Sequence, residues 1–248
     1  MNTIKGSPLG TNRKTAIFVG VLYILGTVAG ILSLVFTGPV LEGLDYLAQV
    51  SANPNQIVIG ALFVLTMGLA LAMVPVMLFP ILKRYNEVLA VGYVLFRGGL
   101  EAVTYLALVI GWLFLPLISQ AYIKASAADA SYFQSLGDLV LKANDQIGHV
   151  LTIVFILGAL MFYYVLYRSK LVPRWLSAWG LLAAIPYFVS GVLGLLTLLS
   201  PMSTIQMVLV LPLAIQEMVL AVWLIVKGFN LSPIIDNVES VQVAISQA

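Results

Sequence analysis

Six stretches of this chain run for more than twenty residues with almost no charge, and that pattern dictates the solvent. They are Ala16–Phe36, Ile57–Leu82, Val88–Leu115, Ile147–Tyr167, Trp175–Leu199 and Ile205–Val226. A helix of about 20 apolar residues crosses the hydrocarbon layer of a bilayer. A helix is also the form in which a lipid-exposed segment satisfies its own backbone hydrogen bonds. The remaining composition agrees: 61% of residues are hydrophobic and 9% charged, against about 25% charged in an ordinary soluble domain. So few charges cannot cover a water-facing surface. Soluble, disordered and nucleic-acid-binding classes are therefore set aside, and the expected partner is the lipid bilayer. The expected architecture is an all-α membrane protein, a single six-helix domain over residues 1–230 followed by a flexible cytoplasmic tail over 231–248.

Orientation follows from the basic residues. Lys5, Arg13, Lys14, Lys83, Arg84, Arg168, Lys170, Arg174 and Lys227 fall on one side of the expected spans, and only Lys124 and Lys142 on the other. The excess of Lys and Arg marks the cytoplasmic side. Both termini are thus expected in the cytoplasm, with the chain in the cell membrane. The first apolar run is kept as a span, since neither the short core nor the cut site of a signal peptide is clear.

Both long outer connections carry helical patterns. In Gly38–Asn53, Leu41, Leu44, Leu47 and Ala48 share a face. In Ser131–Lys142, Tyr132, Phe133, Leu136, Leu139 and Val140 repeat at helical spacing. Each is expected to be a short amphipathic helix lying on the membrane surface. Asn53 and Pro54 are read as the N-cap and first-turn proline of the second span. Pro75, Pro80, Pro186 and Pro212 fall inside spans, where a proline frees a carbonyl and bends the helix. Gly26 and Gly30, Gly68 and Ala72, and Gly180 and Ala184 mark places where helices can approach closely.

In a chain that avoids charge, the informative residues are those charged within a span, because each needs a partner or water. Arg97, Glu101 and Glu217 qualify. Arg97 and Glu101 stand four residues apart and share a helix face. Counted from the basic ends of their helices, Arg97 and Glu217 lie at similar depth. Arg97 is therefore expected to bridge Glu101 and Glu217, joining the third span to the sixth. That triad carries one net negative charge, or none if one carboxyl is protonated. Gln216, beside Glu217, extends the polar group. A weaker candidate is the single histidine, His149, with Asp145 one turn before it; a hydrogen bond between them would orient the ring.

Inventory excludes several chemistries. No cysteine is present, so thiolate metal sites and cysteine nucleophiles are absent, and one histidine is too few for a metal centre. Every lysine lies at a span end or in a connection, which argues against a retinal Schiff base. No spacing selects a serine to pair with His149, and no glycine-rich loop cradles a phosphate. No catalytic residue and no cofactor is assigned, and the balance leans away from an enzyme. Two readings stay open. One is binding or transport of a small or lipid-like ligand, with coupling to protons as a variant, through the Arg/Glu cluster. The other is a non-catalytic structural or partner-binding protein whose cluster holds the bundle together.

Three strings carry a resemblance: Gly92-Tyr-Val-Leu-Phe-Arg-Gly-Gly-Leu-Glu-Ala102, Tyr163-Tyr-Val-Leu-Tyr-Arg-Ser-Lys-Leu-Val-Pro-Arg-Trp-Leu-Ser177, and Pro212-Leu-Ala-Ile-Gln-Glu-Met218 with Trp223-Leu-Ile-Val-Lys-Gly-Phe229. Taken together, the chain resembles a bacterial family known as domain of unknown function 4386, from the first span to the sixth. The resemblance implies a multi-pass bacterial protein of the inner membrane whose pattern includes the positions of Arg97, Glu101 and Glu217. It implies no activity, substrate or cofactor, and His149 matches none of its motifs.

Overall fold

The computed structural model describes residues 8–43, 45–200 and 203–230. The tail expected over 231–248, and Leu44 on the face of the first outer connection, lie outside the described residues. The elements are α1 (Pro8–Leu41), α2 (Tyr46–Ala52), α3 (Pro54–Leu82), α4 (Glu87–Tyr93), a π-helical turn (Val94–Leu100), α5 (Glu101–Lys124), α6 (Ala127–Ser169), α7 (Arg174–Leu195) and α8 (Thr204–Val226). There is no strand among the described residues. Six segments are long and apolar enough to span a bilayer: α1, α3, the continuous run from α4 to α5, α6, α7 and α8. The protein is an all-α, multi-pass membrane protein.

The spans pack in chain order. α1 lies against α3, α3 against the α4 to α5 run, that run against α6, α6 against α7 and α7 against α8, while α8 returns to α1. The result is a closed ring of six helices, and its interior must be filled by side chains from every member. Large aromatics do much of this: Tyr23, Tyr93, Phe162 and Tyr163 are among the largest fully buried side chains. The outward faces carry exposed Phe18, Leu62, Leu106, Leu182 and Val208, the surface a lipid-solvated bundle presents.

The small residues work within the ring. A methyl placed on Gly26 would stand 2.9 Å from Leu71, and one on Gly180 2.7 Å from the ring of Tyr163, so these glycines set the α1–α3 and α7–α6 approaches.

Local chemistry moves several boundaries from those the sequence suggests. The amphipathic segment Ser131–Lys142 is helical, but it is the continuous N-terminal part of α6 and not a separate surface helix. Nothing between Ala127 and Ser169 is a proline, and one helix keeps every backbone bond that a break would expose. α2 is the short outer helix expected in the other connection. Pro54 does open α3, yet Asn53 gives no side-chain cap; its amide donates instead to the Gln49 carbonyl. α7 stops at Leu195, four residues short of the apolar run. There Thr197 turns left-handed with φ of 57° and the Leu198 N–H returns to the Leu193 carbonyl, which closes the helix end.

Candidate functional site

The third span changes its winding where its charged residue sits. Val94–Leu100 forms a π-helical turn that contains Arg97. Gly98 and Gly99 supply little helix preference there, and the two flanking helices close tightly on the turn. Gly98 faces Pro75 of α3, where a methyl would come within 3.3 Å of the proline ring. Gly158 of α6 faces the other side, where a methyl would stand 3.2 Å from the Arg97 nitrogen. One-turn π segments inside α-helices recur at functional sites, because the wide turn re-aims a side chain.

Here the re-aimed side chain is the guanidinium. Nη1 of Arg97 donates to both carboxylate oxygens of Glu101 at 3.2 Å, and Nη2 donates to Oε1 of Glu217 at 3.3 Å. The expected bridge between the third and sixth spans is present in this geometry. The face of Phe155 lies 4.2 Å from the guanidinium carbon and that of Tyr23 5.9 Å, so the ion also has aromatic quadrupoles on two sides. The Tyr23 and Tyr93 hydroxyls meet at 3.3 Å, Tyr93 stacks on Phe162 at 4.7 Å, and Phe155 meets Tyr187 edge-on. Residues from α1, the third span, α6, α7 and α8 thus converge on one centre.

Access within the cluster is uneven. Arg97 is 3% exposed and Glu101 1%, whereas Glu217 keeps 17%. Glu217 is thus the least buried member of the triad. The hydroxyl of Tyr163, buried and within electrostatic range of Glu217, has no hydrogen-bond partner among the described residues.

The other sequence candidates separate from this centre. Gln216 is fully buried but turns to α7, where Nε2 donates to the Leu176 carbonyl at 3.0 Å. It locks α8 to α7 and makes no bond to Arg97. His149 sits near the midpoint of α6, about 13 Å along the helix axis from Gly158, and Asp145 lies one turn further toward the helix N-terminus. They line a groove with Lys142, Gln146, Gly194 and Thr197. No hydrogen bond joins the two. The imidazole is 5% exposed and is packed flat against Gly194, a position where any side chain would collide with the ring. The aromatic shell of Tyr23 and Phe155 and the π turn were not evident from the sequence. The adjacent Gly98 and Gly99 beside Arg97 were the only local signal of the latter.

Fold and cluster together define a six-span integral membrane protein with a buried ion triad at its centre. No curated protein and no solved structure matches the chain. A family model matches residues 18–228, and the chain belongs to that family, described as Domain of unknown function (DUF4386).

Proposed function

We propose that the protein binds a proton or a small ligand at the Arg97–Glu101–Glu217 triad and acts as a carrier or proton-coupled transporter. The supporting observation is the imbalance of the triad: two carboxylates from different spans share one guanidinium, and the second of them, Glu217, is its least buried member. A structural clamp needs one carboxylate. An additional intramembrane acid, paired with an arginine held on a π turn, is the arrangement expected of a group that exchanges its charge partner. On the positive-inside pattern the basic connections and both termini lie in the cytoplasm, and the membrane is the cell membrane.

A second reading is favoured by the sealing of Arg97 and Glu101: the cluster joins the spans and does nothing else. Proteoliposomes separate the two. Protein reconstituted in vesicles with a pH-reporting dye inside should collapse an imposed proton gradient faster than empty vesicles, and Glu217→Gln should abolish the difference while its thermal midpoint stays near that of the wild type. Wild-type vesicles no leakier than empty ones, combined with candidate solutes that leave the thermal midpoint unmoved, would leave the clamp reading in possession.

A further inference from the structure

The cytoplasm-side end of α8 joins two cavities of opposite character. The first, of about 660 Å³, is an apolar groove along α8 beside α1, lined by Leu211, Ile215, Met218, Val222 and Trp223 of α8 and by Thr27 of α1. Its α8 wall extends from Leu211 to Lys227, about 24 Å of helix and longer than half the hydrocarbon layer. The second, of about 460 Å³, lies at the end of the spans and is lined by Lys170, Arg174, Lys227, Phe229 and Asn230. Trp223 and Lys227 belong to both walls, so the apolar groove and the basic pocket adjoin.

The electrostatics of the basic pocket are one-signed. Its lining holds three cations and no carboxylate. None of the three forms an ion pair among the described residues; Arg174 only lies over the ring of Tyr167, at 5.5 Å. The N-terminus of α7 opens on the same pocket at Pro173 and Arg174, and a helix N-terminus favours an anion. The C-terminus of α8 would oppose it, but Arg13 already covers that end. Its guanidinium donates to the Leu224 carbonyl at 3.0 Å, the Ile225 carbonyl at 2.6 Å and the Val226 carbonyl at 3.1 Å. Lys170, Arg174 and Lys227 are left for a ligand. Exposed Trp175, stacked with Trp179, places the pocket at headgroup level, where tryptophans collect.

We propose that this pair of cavities is a binding site for one anionic phospholipid of the adjacent leaflet, its phosphate in the Lys170–Arg174–Lys227 pocket and one acyl chain along the α1–α8 groove. Basic pockets between spans are the known way for membrane proteins to hold acidic headgroups. The site is separate from the ion triad, and its failure would leave the reading of the triad untouched.

The test is native mass spectrometry of the full-length protein in neutral detergent, presented with equal amounts of phosphatidylglycerol and phosphatidylcholine. The wild type should retain phosphatidylglycerol about ten-fold over phosphatidylcholine. The triple variant K170Q/R174Q/K227Q should lose that preference, all three side chains being exposed and replaceable without touching the core. Ala214→Phe, which fills the groove at an exposed position, should lower retention of both lipids several-fold. Equal retention of the two lipids by the wild type overturns the proposal without recourse to any variant. An undiminished preference in the triple variant overturns the headgroup assignment, and undiminished retention in Ala214→Phe overturns that of the chain.

Discussion

Arg97 and Glu217 lie 120 residues apart in the chain and meet at 3.3 Å in the middle of the bundle, closing the third span onto the sixth. The contact is part-buried, and its two ends behave differently on removal. Taking away the guanidinium strands two carboxylates in a low-dielectric interior, a change of about 3–5 kcal/mol for a broken buried pair. Taking away the charge of Glu217 leaves Arg97 satisfied by Glu101. Arg97→Met should therefore fail to accumulate or unfold at much lower temperature, while Glu217→Gln should lie within about 1–2 kcal/mol of wild type. Thermal unfolding in detergent, followed by loss of the monodisperse gel-filtration peak, reads both. Equal losses in the two variants would contradict the primacy of the Arg97–Glu101 pair.

The π turn depends on how closely α6 approaches it. A methyl on Gly158 would meet the Arg97 backbone nitrogen at 3.2 Å and the Phe96 Cβ at 3.3 Å. Backbone cannot yield as a flexible side chain does, so Gly158→Val should cost about 1–3 kcal/mol by overpacking, with Gly158→Ala the milder change. If the triad is the functional centre, Gly158→Ala should also disturb proton movement in vesicles more than a comparably destabilising change on a lipid-facing position such as Leu182.

How much of this could be read from the chain depends on the kind of information each residue carries. Apolar length and the cost of buried charge are local and strong, so all six spans and the meeting of Arg97, Glu101 and Glu217 were legible. Which way Gln216 points was not. Adjacent residues on a helix diverge by about 100°, and only the position of α7 decides that Gln216 serves Leu176 and not Arg97. The aromatic shell escaped for a similar reason: Tyr23 and Phe155 are ordinary apolar-face residues until the ring of helices brings them over the guanidinium. The continuity of α6 turned on an absence, since a surface helix and an overhanging span share one amphipathic pattern and only a breaker would have divided them.

Toward one end of the ring, a side-chain hydrogen bond ties α2 to α6. The Tyr46 hydroxyl donates to Oδ1 of Asp138 at 3.0 Å, and Gly137 leaves room for the phenol. Burial, then the hydrogen bond to Asp138 and its negative charge, raise the Tyr46 phenol well above its ordinary value. The folded state thus holds this proton more tightly than the unfolded chain. The stabilisation is complete below the unfolded tyrosine range, near pH 10, and is lost as pH rises from there toward the folded value. Tyr46→Phe should cost about 1 kcal/mol, constant between neutral pH and about pH 9. Above pH 10 the gap between wild type and variant should shrink, a difference measurement that cancels the titration of the other tyrosines.

Thr197 carries strain that a substitution can release. Its φ of 57° lies in the left-handed region, where a β-branched residue is a true outlier. The conformation is imposed by the end of α7: the Thr197 N–H bonds to the Gly194 carbonyl and the Leu198 N–H to the Leu193 carbonyl, so position 197 must turn back. Its hydroxyl bonds only to the neighbouring Leu196 carbonyl, at 2.7 Å in an exposed setting, and offers little compensation. Glycine meets the same dihedral without a Cβ clash, a relief of about 1 kcal/mol that outweighs its greater freedom in the unfolded chain. Thr197→Gly should raise the thermal midpoint and Thr197→Val should not. If the two variants moved together, the stability change would come from the lost hydroxyl and not from the backbone.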